Sequence, residues 1–217
     1  LTLGGHTVAE AVTDRSGITG EKMELDGYNF IEGDNVAVYD HMGRHMLCTM
    51  VQTNKPAEEQ AHNVAMQVAA MNPVALDEAS VPQEVKDEEL KVAIEKTKEE
   101  QVKKAVEAAI KKAGYNAYIA ESEEHLEEGI RKGNITEEDA AAIRELKAKT
   151  AEEKSANLPE QMVQNIANGR MKKFYKESCL LNQEYIQDSK QTVAEYLKST
   201  DKDLTVTAFK RFTLRAE

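Results

Sequence analysis

Asn35-Val36-Ala37-Val38-Tyr39-Asp40-His41-Met42-Gly43-Arg44-His45-Met46-Leu47-Cys48-Thr49-Met50-Val51 is the stretch that decides between an all-helical chain and one that carries a sheet. Val36 and Val38 alternate with their neighbours, His45 to Val51 is dense in sheet-compatible residues, and His41 to Arg44 supplies a glycine-containing turn between them. Period-two alternation on both sides of such a turn predicts adjacent antiparallel strands. Upstream, Met23-Glu24-Leu25 alternates and Tyr28-Asn29-Phe30-Ile31 resumes the pattern after Gly27. Further strands are therefore expected between 22 and 31, with Glu32-Gly33-Asp34-Asn35 as the next turn. At the far end, Leu204-Thr205-Val206-Thr207-Ala208-Phe209 alternates and Phe212 and Leu214 extend it, which predicts a closing strand beside the first ones.

Between these ends the periodicity is helical. Thr7-Val8-Ala9-Glu10-Ala11-Val12 reads as a short helix broken at Gly17 and Gly20, and residues 57–71 as a helix stopped by Asn72-Pro73. From about Pro82 the chain turns rich in Lys, Glu and Ala. Leu90, Ile94, Thr97, Val102, Ala105, Val106, Ala109 and Ile110 form a narrow apolar stripe on one long amphipathic helix ending near Gly114. A shorter helix is expected over 121–132. Thr136-Glu137-Glu138-Asp139 is a capping-box start for the next, which runs to Leu158-Pro159. Helices over 160–176 and 191–198 follow. Thr7-Val8-Ala9-Glu10 and Thr192-Val193-Ala194-Glu195 repeat the same four letters at helix starts.

The fold class expected is α+β: a small antiparallel sheet packed against the helices at 57–71, 160–176 and 191–198, with a long helical-hairpin, coiled-coil-like insertion. Residues 1–81 plus 159–217 form the core and 82–158 the arm. The arm is poor in aromatics and rich in surface charge, so its stripe must be covered by its own returning helix or by a second chain.

Composition narrows the function. With 28 Lys+Arg against 39 Asp+Glu, the formal net charge is −11, which argues against direct nucleic-acid binding. No apolar run nears the roughly 20 residues that span a bilayer, and no signal-peptide pattern opens the chain, so neither a membrane partner nor export is expected. Two cysteines, Cys48 and Cys179, make no disulfide framework, and a cytoplasmic location is expected.

Chemical signatures are scarce. No phosphate-cradling Gly-Lys-Ser/Thr loop, dinucleotide fingerprint or nucleophile elbow is present, and neither catalysis of a bond change nor a cofactor is expected. His41, His45 and Cys48 lie close in sequence, but no fourth ligand stands at a zinc spacing. His125 beside Glu123 and Glu124 does not share a helix face with them. The methionines at 42, 46, 50, 66 and 71 suit either an adaptable interface or a core.

Gly169-Arg170-Met171-Lys172-Lys173-Phe174, followed by Glu177, Leu180, Gln183, Lys190 and Thr192-Val193, closely resembles the stretch of bacterial elongation factor Ts that leads out of its dimerisation region. Gly20-Glu21, Glu32-Gly33-Asp34 and Tyr39-Asp40-His41 match the second half of that family's core. Residues 62–73 resemble its core helix ending in a proline, and residues 206–212 its final core strand. The order is the family's throughout, and the arm is longer than in its usual forms. The family's N-terminal helical domain and its Thr-Asp-Phe-Val loop have no counterpart in these residues, so a fragment is expected.

The resemblance implies a guanine-nucleotide exchange factor that binds elongation factor Tu, with a homodimer through the arm as a further possibility. It assigns Tu contacts to Gly20 and to His41 in the Tyr-x-His turn, with Thr19, apolar in the family, beside them. Gly169, Arg170, Lys172, Lys173 and Phe174 are a partner-binding or structural motif. A reading from another class is a helical self-associating adaptor without exchange activity, and a third is a small metal hydrolase using His41 and His45.

Overall fold

In the computed structural model, which describes residues 2–214, the chain opens with a two-residue hairpin, Thr2–Leu3 (β1) against His6–Thr7 (β2), leading into helix Val8–Thr19 (α1). The helix runs through Gly17, contrary to the break expected there. It ends at Gly20, whose φ of 71° is a left-handed C-cap that glycine adopts without a Cβ penalty.

The sheet is three-stranded and antiparallel: Val36–Asp40 (β3), Leu47–Thr53 (β4) and Val206–Thr213 (β7), in the order β3-β4-β7. Val51 stands opposite Ala37 on one side and Phe209 on the other. The first and last strand regions therefore meet through β4, as their alternation requires. Residues 21–35 carry no strand, which corrects the reading of 22–31. Alternation marks a two-faced segment, but a strand also needs a hydrogen-bonded neighbour, and none of the described strands pairs with it.

Residues up to Ser80 together with those from Glu177 make one compact unit, and Val81–Lys176 the other. In the first, helix Glu58–Met71 (α2) buries Val64, Ala65 and Val68 against Val51, Val206 and Leu204 of the sheet side. Helix Val193–Thr200 (α7) adds Val193 and Leu197 to the same core, next to Leu180. A small hairpin, Glu184–Tyr185 (β5) with Asp188–Thr192 (β6), precedes α7. Its Tyr185 stacks on Tyr196 at 4.1 Å.

The second unit is helical: Gln83–Lys112 (α3), Glu123–Arg131 (α4), Glu137–Ala156 (α5) and most of Glu160–Ser178 (α6). Its stripe is covered from within the same chain. Ile110 and Val106 of α3 pack with Leu126, Ala140, Ile143 and Leu146. Ala93, Leu90 and Ile94 pack with Ala167, Met171 and Phe174 of α6. That second contact corrects the placement of the 160–176 helix on the sheet: its buried face belongs to α3. Among the described residues no helix is long and apolar enough to cross a membrane.

Three helices start with reciprocal capping boxes, Thr7/Glu10, Thr136/Asp139 and Thr192/Glu195, which explains the repeated four letters as a shared local solution. In each, the backbone N–H and then the hydroxyl of the threonine hold the acid below its ordinary pKa. A depressed carboxylate contributes stability above its unfolded-state pKa and loses it as pH falls through the folded value, so all three boxes are intact at neutral pH and open in acid. Thr192→Ala is expected to cost about 1 kcal/mol in urea denaturation at pH 7 and Thr192→Ser much less. Equal losses in the two variants would mean that the cap hydroxyl is not the source.

Candidate partner-binding surface

Exposed large apolar side chains are concentrated in the first unit. Ile18, Met23, Leu25, Tyr28, Phe30, Val38, Met42, Met46 and Leu214 are all exposed, whereas Tyr118 alone has that character among the described residues of the helical unit. Soluble surfaces seldom leave such a collection open without a use.

Local chemistry ties the residues after Gly20 to the sheet and its β3–β4 turn. Segment 21–35 is anchored by the Met23 amide donating to Ser16 Oγ at 2.9 Å. It then crosses the outer face of the sheet: a Cβ placed on Gly27 would lie 2.7 Å from the Phe212 ring, so a larger residue there would have to push the ring aside. Phe212 stands opposite Cys48, and Cys48 opposite Asp40, which carries the surface across all three strands to the β3–β4 turn. Leu214 extends it by donating its amide to the carbonyl of Met46. Tyr28 and Phe30 stack on each other at 5.8 Å.

The turn is a strained and well-tied element. Met42 and His45 both sit in the left-handed region, at φ 59° and 57°, which for residues other than glycine is held only by surrounding bonds. The His45 amide donates to Asp40 Oδ1 at 2.9 Å, and the His45 ring pairs with the same carboxylate. His41, exposed, has Nδ1 3.0 Å from the Tyr39 hydroxyl, while Tyr39 meets His62 of α2 edge-on. His41 and His45 thus each meet a different neighbour, and among the described residues no group of three His, Cys, Asp or Glu side chains is placed to hold a metal ion. Burial, followed by the Asp40 charge, pushes the Cys48 thiol up, so it stays protonated at neutral pH.

Thr19 and Gly20 lie together at the exposed end of α1. The Thr19 hydroxyl donates back to the Arg15 carbonyl at 3.0 Å and accepts from the Glu21 amide at 3.3 Å. Its local role is to end the helix.

The 169–174 motif lies in the other unit. Arg170 donates through Nε to Thr97 Oγ1 at 3.1 Å and through Nη2 to Glu100 at 2.6 Å, and Phe174 is half-buried against the α3 cluster. Gly169, Lys172 and Lys173 are exposed. Sequence reasoning overlooked Met23, Leu25, Tyr28 and Phe30 as surface residues. Their alternation was the available signal, and it was read as sheet.

The family profile described as Elongation factor TS matches residues 1–123 and 128–216. Elongation factor Ts of Phocaeicola vulgatus is 61% identical over 217 residues, covering 100% of this chain and 66% of that protein. The one from Parabacteroides distasonis is 60% identical over the same span and share, and that of Porphyromonas gingivalis is 36% identical over 214 residues, 98% of this chain and 57% of its own length. The chain thus spans 66% of the length of the more similar relatives.

Proposed function

The chain belongs to the elongation factor Ts family, and from that premise we propose that its sheet-bearing unit binds elongation factor Tu through the surface that carries Gly20, His41 and Met42. The observation that carries this reading is the concentration of exposed apolar side chains on the unit that holds the hydrogen-bonded His41 turn and the residues that the family resemblance assigns to the partner. Interfaces gain most of their energy from a few such anchored side chains surrounded by apolar contact.

No reacting group is needed for nucleotide exchange. A protein that binds nucleotide-free Tu more tightly than the nucleotide-bound form lowers the affinity of Tu for GDP by the same factor, since the coupling is reciprocal. The Thr-Asp-Phe-Val motif, which the family resemblance links to the nucleotide site on Tu, does not occur in these 217 residues. These residues supply grip and little acceleration of GDP release.

The test is a calorimetric titration against elongation factor Tu with and without GDP, beside stopped-flow release of a fluorescent GDP analogue. Saturable binding, weakened by GDP, is expected, with release hardly faster than the spontaneous rate. His41→Ala should weaken binding by about 1 to 2 kcal/mol, roughly tenfold, with the circular dichroism and melting temperature of the parent. Absence of binding by a folded chain would overturn the reading, and fast catalysed release would overturn the division between grip and acceleration.

A further inference from the structure

A second surface of the same unit has a different character. β3 is an edge strand, with β4 as its neighbour on one side and no described strand on the other. The Thr53 amide donates to the Asn35 carbonyl at 3.1 Å, which makes that pair a hydrogen-bonded one. By the alternation of an antiparallel ladder, residues 37 and 39 also face β4, and Val36 and Val38 direct their N–H and C=O groups to the open side. Natural edges are usually blunted by lysine, proline or a bulge, and the residues of this edge, Val36-Ala37-Val38, use none of them.

A groove of about 880 Å³ runs along this edge between β3 and the N-terminal half of α2. It exists because the side chains at the strand–helix contact are small: Ala37, Ala57 and Ala61 leave the space that larger residues would fill. Its α2 wall carries Glu58 and Glu59, and no lysine or arginine lines it. Neither carboxylate has an ion-pair partner among the described residues, and the nearby Lys55 is taken by Asp201 and Asp203.

We propose that this groove is a strand-addition site for an extended basic peptide segment, which pairs its backbone with Val36 and Val38 and sets its cationic side chains against Glu58 and Glu59. Backbone pairing supplies affinity, and the alternate side chains supply selection. Those on one side rest over the alanine floor and must be small or β-branched. Those that reach the helix wall must be positive. The groove adjoins the His41 turn, since Val38 is common to both, and the peptide assay is run without elongation factor Tu, so its outcome does not depend on what that turn binds.

The probe is an acetylated eight-residue peptide of alternating valine and lysine, with a control of the same composition whose alternate amides are N-methylated so that they cannot donate. Saturable binding of the first peptide is expected by fluorescence anisotropy, together with slowed hydrogen exchange at the Val36 and Val38 amides. The methylated control should bind at least tenfold more weakly. Val38→Pro removes an edge-directed N–H at a position where the ladder to β4 does not use it, so the variant should keep the parent's circular dichroism and lose at least tenfold in peptide affinity. The surface pair Glu58→Lys and Glu59→Lys should also lose at least tenfold, and the parent's binding should weaken with added salt. No saturable binding, unchanged affinity in either folded variant, or protection confined to amides outside β3 would each overturn the proposal.

Discussion

Gln67→Leu is expected to destabilise the chain by about 3 kcal/mol, although it replaces a polar residue on a core helix with an apolar one of similar volume. Gln67 and Gln183 are both fully buried, and their amides form one closed network. Gln67 Oε1 accepts from the Ile186 amide at 2.8 Å, and its Nε2 donates to Gln183 Oε1 at 3.2 Å and to the Glu184 carbonyl at 3.1 Å. Gln183 Nε2 in turn donates to the Glu177 carbonyl at 2.9 Å. The pair therefore fastens the β5–β6 hairpin and the end of α6 to α2, where no strand ladder reaches. Leucine leaves an amide and two acceptors short of partners in a site closed to water, and the penalty for unsatisfied buried groups exceeds the gain from apolar burial. Gln67→Glu keeps the acceptor and loses the donor, so it should be no better. Equilibrium urea denaturation measures both, with an expected fall in melting temperature of roughly 10 °C for leucine. A loss below about 1 kcal/mol in both variants would show that water replaces the network and that the hairpin is held by Tyr185 and its neighbours alone.

The double variant Ile94→Glu, Val106→Glu is expected to remove most of the cooperative folding of the helical unit, at a cost of about 3 kcal/mol or more. Its two sites belong to different clusters, Ile94 with Ala167 and Met171, and Val106 with Ile110 and Ile143. Both positions are half-buried against these clusters, so a carboxylate at either place loses apolar contact and is partly desolvated, and separate clusters make the two costs nearly additive. Far-UV ellipticity and the thermal melt should both fall. If instead ellipticity and melting stayed at the parent's values while light scattering reported a lower mass, the stripe would be a seam between copies of the chain.

Helix starts were legible because a capping box is a local bond between residues three apart: Thr136 with Asp139, and Thr192 with Glu195, stand where the pattern puts them. The core strands 36–40, 47–53 and 206–213 were legible because each presents alternate residues to one buried face. Arg170 was not: a cation between Gly169 and Met171 looks like surface until Thr97 and Glu100 of α3 are seen to take its guanidinium. Gln67 escaped for the same reason, since an amide inside an apolar stripe gives no sign of which distant groups complete it.

Periodicity and turn chemistry within a dozen residues thus located the long helices and the three core strands, because such patterns come from backbone geometry and neighbours along the chain, but read 22–31 as sheet where no strand forms. Resemblance added the family. What covers each apolar face was a matter for the three-dimensional structure alone. The α6 stripe goes to α3, the α3 stripe is closed by helices of its own chain, and the alternating segment around Leu25 and Tyr28 stays open over the sheet without a partner strand. The hydrophobic effect is non-directional: it requires that a face be buried and is indifferent to which face buries it. That choice rests on shape, such as the glycine at 27 that admits Phe212 and the alanines that hold a groove open beside β3, and shape is a property of contacts between residues far apart in the chain.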